Sequence, residues 1–168
     1  FTIASANNIA GRMLHIRDDA FAKLGDSSPA FVVTNQENFT KQQNDKIVRE
    51  VRGHFTVPNY LTMNGEPSTR FNYAGSLDGN PTQNAGEATM QASFTCRIPR
   101  SVANDGHSGD PRTVHPAIGS LYGHGLLGGQ GEVGAGNVGS MANEQHINFC
   151  ATDWIGMATA DVPNVATI

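Results

Sequence analysis

The residues with the clearest chemical potential lie in one stretch, Ala117-Ile-Gly-Ser-Leu-Tyr-Gly-His-Gly-Leu-Leu-Gly-Gly-Gln-Gly131. A short apolar run ends at Tyr122. Gly123, His124, Gly125, two leucines and further glycines follow. A strand that stops at glycine and enters a bare turn leaves backbone N–H groups open to a reacting group. Fixed N–H dipoles stabilise negative charge that develops on an oxygen, because they are oriented before the charge forms. No convincing nucleophile accompanies them. The nearest matches to a nucleophilic serine flanked by glycines are Ser108, in the polar turn Gly106-His-Ser-Gly-Asp110, and Ser140, in Gly139-Ser-Met141 at a helix start with no apolar strand leading into it.

Other chemistries fit less well. The six histidines (His15, His54, His107, His115, His124, His146) show no His-x-x-x-His or Glu-paired helical spacing, so no metal is assigned. Asp18-Asp19 and Asp105 with Asp110 lack the regular oxygen-ligand spacing of a calcium loop. The glycines of 129–139 have neither the Gly-Lys-Ser/Thr ending of a phosphate cradle nor dinucleotide spacing. No cofactor is expected.

Length fits one domain. Apolar residues are 38% and charged residues 15% of the chain. Both are low, and Gly, Asn, Ser and Thr fill the difference, which implies a loop-rich chain with a modest core. A net charge of −4 without a basic cluster gives no steering toward nucleic acid. No apolar run approaches the roughly 18 residues of a membrane span. A first residue other than Met reads either as a mature N-terminus left by removal of a signal or pro-segment or as a trimmed chain. Two cysteines, Cys96 and Cys150, are too few for a disulfide scaffold, yet can pair in a secreted protein. The Asn38-Phe-Thr40 triplet matches a glycosylation acceptor, a match that chance also supplies.

The elements that would position the glycine stretch follow from periodicity. Phe1–Ser5 alternates as a short strand. Ile9, Met13, Leu14, Ile16, Phe21 and Leu24 share one helical face, with Asn7 or Asn8 as a cap, an irregular start at Gly11, and a stop at Gly25. Residues 30–34 read as a strand and 35–44 as a polar connection. Ile47–Val57 reads as a long strand with one polar face, ended by Pro58. Residues 59–86 form an irregular excursion with a hairpin pairing 61–65 with 69–73. Ala88–Pro99 is the clearest half-buried strand. Val114–Tyr122 is the apolar strand before the glycines. Val138–His146 is a short helix with Met141 and Ala142 facing inward, and Ile147–Thr152 is a strand that leads into Asp153-Trp154. A strand–helix–strand unit makes a parallel pair, with ligands at the carboxyl ends of its strands. The glycine loop and Asp153-Trp154 fall at that edge and should lie near each other.

Leu121-Tyr-Gly-His-Gly-Leu-Leu-Gly128 resembles the His-Gly oxyanion motif that follows the third strand in lipases and esterases of the α/β-hydrolase superfamily. Cys150-Ala-Thr-Asp-Trp-Ile-Gly-Met157 is similar to the end of the fourth strand and its loop, and Ala88–Pro99 takes the place of the antiparallel second strand. The resemblance covers residues 88–160 and implies a fold class. The chain would be α/β, the N-terminal part of a hydrolase sheet and a single incomplete domain over 1–168. Residues 1–87 would be an elaboration, and residues 88–168 would supply the first strands.

The resemblance also implies roles. The N–H of Leu126 would donate to the oxyanion, with Leu127 as a second candidate, and Gly125 would let a substrate carbonyl approach. His124 would be structural support. Asp153 and Trp154 would form part of the substrate rim. Asp153 also reads as orienting the oxyanion loop or as capping the next helix, the more frequent role for such an Asp, and Trp154 equally reads as a core filler. Cys96 and Cys150 would fall on adjacent strands, as a disulfide or as two buried thiols. The nucleophile elbow Gly-x-Ser-x-Gly is absent from this chain. A companion chain would therefore carry the Ser, acid and His, completing the sheet beside Val114–Tyr122 in a processed, secreted heterodimer. The substrate would be a small-molecule or polymeric ester. An amidase or acylase would read the same. The alternative is a non-catalytic β-rich binding or assembly module in which the glycine loop is a tight turn.

Overall fold

The structure, a computed structural model, describes residues 6–103 and 114–166. The expected strand at Phe1–Ser5 and the serine at position 108 lie outside those residues. Contacts divide the chain into two compact units, Phe1–Ala30 with Thr56–Gln91, and Phe31–Phe55 with Ala92–Ile168. In the second unit the segment 31–55 joins the later strands. No helix among the described residues is long and apolar enough to cross a membrane.

The protein is α/β, and its described residues form a five-stranded mixed sheet and three α-helices. The strands are β1 (Phe31–Asn38), β2 (Ile47–Pro58), β3 (Thr89–Pro99), β4 (Ile118–Tyr122) and β5 (Ile147–Ala151), in the order β1-β2-β3-β5-β4. β1 runs antiparallel to β2, β3 runs antiparallel to β5, and β4 runs parallel to β5. The helix α2 (Gly136–Gln145) connects β4 to β5, as a parallel pair requires. Both edges carry exposed apolar side chains: Phe31, Val32 and Val33 on β1, and Ile118 and Leu121 on β4.

β1 extends beyond the apolar run into Asn35–Asn38, which the sequence marks as a connection. These residues pair with Arg52–Arg49 of β2 after a register shift between Val33 and Asn35. A backbone ladder is indifferent to side-chain polarity where both faces meet solvent, and all of β1 is exposed. Nor is the polar side of β2 solvated throughout. Glu50 is 2% exposed. Its two oxygens take Arg52 at 2.5 Å and Arg97, so the buried carboxylate has a guanidinium on each side. The apolar run from Val114 forms a strand only from Ile118, with Val114 itself in an isolated bridge to Ala103.

The core draws on β2, α2, β5 and the 3-10 turn Gln130–Gly134. Ile47, Val133, Val138, Ala142, Phe149 and Ala151 are its buried members, and Tyr122 meets Phe149 edge-on. α2 turns Val138, Gly139 and Ala142 inward, whereas Met141 is exposed, contrary to the expected inward position. At 3.6 residues per turn, Met141 lies to one side of the face that Val138 and Ala142 share. Small residues also let this helix approach closely; a Cβ on Gly139 would already touch Ile47 at 3.7 Å. Cys96 stands directly opposite Cys150 across the β3–β5 ladder, and the two form a disulfide.

The other unit contains α1 (Arg12–Leu24), preceded by a π-helical turn at Asn7–Gly11 and stopped at Gly25. Gly25 has a φ of +61°, and its N–H donates to Phe21 O at 2.9 Å. The irregular start and the glycine stop match the sequence reading. The burial does not, because α1 buries no residue and Ile9, Met13, Leu14 and Phe21 are all exposed. The excursion over 59–86 is ordered by asparagines. Fully buried Asn59 accepts from Leu61 N through its side chain, Asn84 donates to Leu61 O, and Asn72 donates to Thr82 O. The expected hairpin is present as one bridge, Leu61 to Phe71.

Candidate functional site

The glycine loop leaves the carboxyl end of β4, and Asp153-Trp154 follows the carboxyl end of β5. Because β4 and β5 are parallel, both loops emerge at one end of the sheet. Contacts between them are direct. His124 is 9% exposed and accepts a hydrogen bond at Nε2 from Trp154 N at 3.0 Å, while Nδ1 lies 2.7 Å from Gly125 O. A backbone N–H can only donate and a carbonyl can only accept, which assigns the proton to Nδ1. Both ring nitrogens are therefore engaged with backbone, and no lone pair remains for a base. The imidazole also lies against the Trp154 ring.

The Gly125–Gly128 amides divide sharply. Gly125 N donates to Glu132 Oε2 at 3.0 Å, Leu127 N to Met157 O at 2.8 Å, and Gly128 N to Gly125 O at 2.9 Å. Leu126 N has no hydrogen bond to any described residue, and Leu126 is 76% exposed. Leu127 has a φ of 58°, a left-handed conformation that costs a bulky L-residue about 1–2 kcal/mol. Strain of this kind persists where the surroundings over-determine it, and it collects at functional loops. Here the surroundings are Thr159, whose hydroxyl donates to Leu127 O and Gly128 O, and whose N–H donates to Gly128 O at 2.8 Å. Asp161, buried, shapes that partner segment by accepting from Gly156 N and Ala158 N.

Asp153 is placed on the loop itself. Its Oδ1 accepts from Gln130 N at 2.6 Å, and its Oδ2 accepts from Gln130 Nε2 at 3.0 Å. It thereby caps the 3-10 turn that closes the glycine loop, upstream in sequence. Gln130 is further fixed by Thr95 and Ser93 of β3. Trp154 is 45% exposed, and with Leu126, Ile155 and Met157 it gives this end of the sheet exposed apolar side chains. Gly125 differs from its neighbours. A Cβ there would meet nothing nearer than Glu132 at 3.8 Å. Nothing among the described residues requires glycine at that position.

Of the two serines considered, Ser140 lies within α2 and lines a cavity with the 41–47 segment, Arg97 and Gly134, without a histidine. Among the described residues, no three His, Cys, Asp or Glu side chains converge as a metal site would need. Glu132 and Gln130 carry weight that the sequence reading did not give them. The available signal was a carboxylate seven residues after Gly125, on the turn that ends the loop.

Comparison with protein-family models, with curated proteins and with solved structures returned no match.

Proposed function

We propose that this chain is the N-terminal portion of a secreted serine ester hydrolase and supplies its oxyanion loop, with the Ser, acid and His carried by polypeptide outside these 168 residues. The observation that carries the proposal is the amide pattern of the loop. Three of four consecutive N–H groups are engaged within the chain, and the fourth, on Leu126, has no partner among the described residues, on a residue that is itself exposed beyond the carboxyl end of a parallel strand pair. Leu127 is not a second donor in this arrangement, since its N–H is held by Met157 O. His124 supports the loop, and Trp154 with Leu126 lines the substrate approach.

Strand pairing agrees with this reading. β3 lies antiparallel beside β5, and β5 lies parallel beside β4, as the resemblance to α/β-hydrolases requires of the second, fourth and third strands. The free edge of β4, with Ile118 and Leu121 exposed, is where the strand leading to the nucleophile would add. A disulfide between Cys96 and Cys150 favours an oxidising compartment. Acyl transfer would then run through a tetrahedral intermediate whose oxyanion accepts from Leu126 N.

The test is Gly125→Val in the assembled protein, assayed on p-nitrophenyl esters. A Cβ at Gly125 would stand at ordinary van der Waals distance from Glu132, 3.8 Å away, so the fold should be kept, while the branched side chain blocks the carbonyl's approach. Turnover should fall about a hundredfold or more, with circular dichroism unchanged. This chain purified alone should be inert. Undiminished turnover in the variant would remove the oxyanion role, and hydrolysis by the lone chain would place the nucleophile within residues 1–168.

A further inference from the structure

We infer that Glu132 is the positioning residue of the glycine loop, a carboxylate latch that holds Gly125 and thereby sets the direction of the Leu126 N–H. The inference rests on the oxyanion reading above and adds a residue to it. Glu132 sits in the 3-10 turn Gln130–Gly134, whose first residue is capped by Asp153 and whose Val133 is buried in the core. The turn is thus fixed independently of the loop. From it, Glu132 Oε2 reaches back to Gly125 N at 3.0 Å. A hydrogen bond from a backbone amide to a carboxylate is of the stronger, charge-assisted kind.

Gly128 completes the latch. A Cβ at position 128 would stand 1.8 Å from Glu132 Oε1 and 2.9 Å from its Cδ, well inside contact distance. The carboxylate therefore occupies the space that any side chain at 128 would take. Glycine at 128 and glutamate at 132 are fitted to each other, and Gly125 is the residue both serve. With Gly125 N on Glu132, Gly125 O on His124 Nδ1 and Gly128 N, and Leu127 N on Met157 O, the peptide on either side of Leu126 is fixed. The Leu126 N–H belongs to the first of these peptides, trans to Gly125 O, and so points away from His124 Nδ1 and Gly128 N. Glu132 makes no contact with substrate in this scheme; it acts through Gly125.

The test uses the full assembled protein. Hydrogen exchange is read at the Gly125 amide in wild type, Glu132→Ala, Glu132→Gln, Gly128→Ala and the Gly128→Ala/Glu132→Ala double variant. Loss of a charge-assisted bond should accelerate Gly125 exchange at least about tenfold in Glu132→Ala. Glu132→Gln keeps an acceptor oxygen and should stay within about threefold of wild type. Gly128→Ala displaces the carboxylate and should accelerate exchange, yet add nothing to Glu132→Ala, because the two changes break one interaction. Ester turnover in Glu132→Ala should fall about tenfold or more with KM little changed, and Glu132→Gln should recover most of it. Unaltered Gly125 exchange in Glu132→Ala, or additive effects in the double variant, overturns the latch. Altered exchange with undiminished kcat overturns the positioning role. If the wild-type protein hydrolyses no ester, the oxyanion reading fails, while the exchange data still decide the latch.

Discussion

The two longer helices make an instructive pair. α1 has thirteen residues with Met, Leu, Ile and Phe among them, and buries none. α2 has ten residues, mostly Gly, Ala, Asn and Ser, and buries Val138, Gly139 and Ala142. Apolar content therefore ranks the two in the wrong order. What separates them is a partner. α2 lies between two parallel strands in sequence, so its connection returns it to the sheet, where small residues allow close packing against Ile47 and Phe149. α1 is held by polar contacts instead. Lys23 bridges Asp19 and Gln83, Tyr60 donates to Asp19, and Arg12 reaches Leu77 O and lies over the Tyr73 ring.

The contrast can be broken most forcefully at Ile47, which is 1% exposed beneath α2. Ile47→Ala should cost about 2–5 kcal/mol, the transfer term plus a cavity, measured by denaturant unfolding. A loss below 1 kcal/mol would mean that the α2 core does not hold the sheet.

An intermediate effect is expected from Tyr60→Phe, which removes one of the polar anchors of α1. Hydrogen bonds from Lys23 first and then Tyr60 hold the Asp19 carboxyl below its ordinary value, while burial first and then the Asp19 bond raise the Tyr60 phenol above its own. The signs set a window. The Asp19 contribution is present above the ordinary carboxylate value and is lost as pH falls through the lowered folded value. The Tyr60 contribution is complete below the ordinary phenol value of about 10 and is lost as pH rises toward the raised one. Tyr60→Phe should lower stability on the plateau and flatten the alkaline slope, as read from Tm against pH. An alkaline slope unchanged in the variant would assign it to another group.

The smallest effect belongs to the exposed face of α1. Met13→Ala should change stability by no more than about 0.5 kcal/mol, since Met13 is 57% exposed. A loss several times larger would show that something covers this face and would bring α1 closer to α2 in kind.

Periodicity made much of the fold legible. The strands at Ile47, Thr89 and Ile147, the helix after the glycines and the Gly25 stop fall where alternation, helical period and glycine place them. Legibility failed where the structure uses backbone rather than side chains. Asn35–Asn38 forms a strand through its ladder with β2, and Met141 turns outward because Val138 defines the face. At the site, the glycine run and Asp153-Trp154 were readable as neighbours because a parallel pair brings strand ends together. The engagement of the Gly125 and Leu127 amides was not, because it depends on Glu132 and Met157 reaching back across a turn whose path no local pattern encodes.

The bond between Cys96 and Cys150 spans 54 positions of chain, and that interval contains β4, the whole glycine loop and α2. A protease that nicks the backbone anywhere within the interval leaves both pieces joined. On a gel without reductant the cut protein would migrate as one species, and only added thiol would separate the fragments. Purity judged under oxidising conditions therefore says nothing about whether the loop-bearing segment is intact.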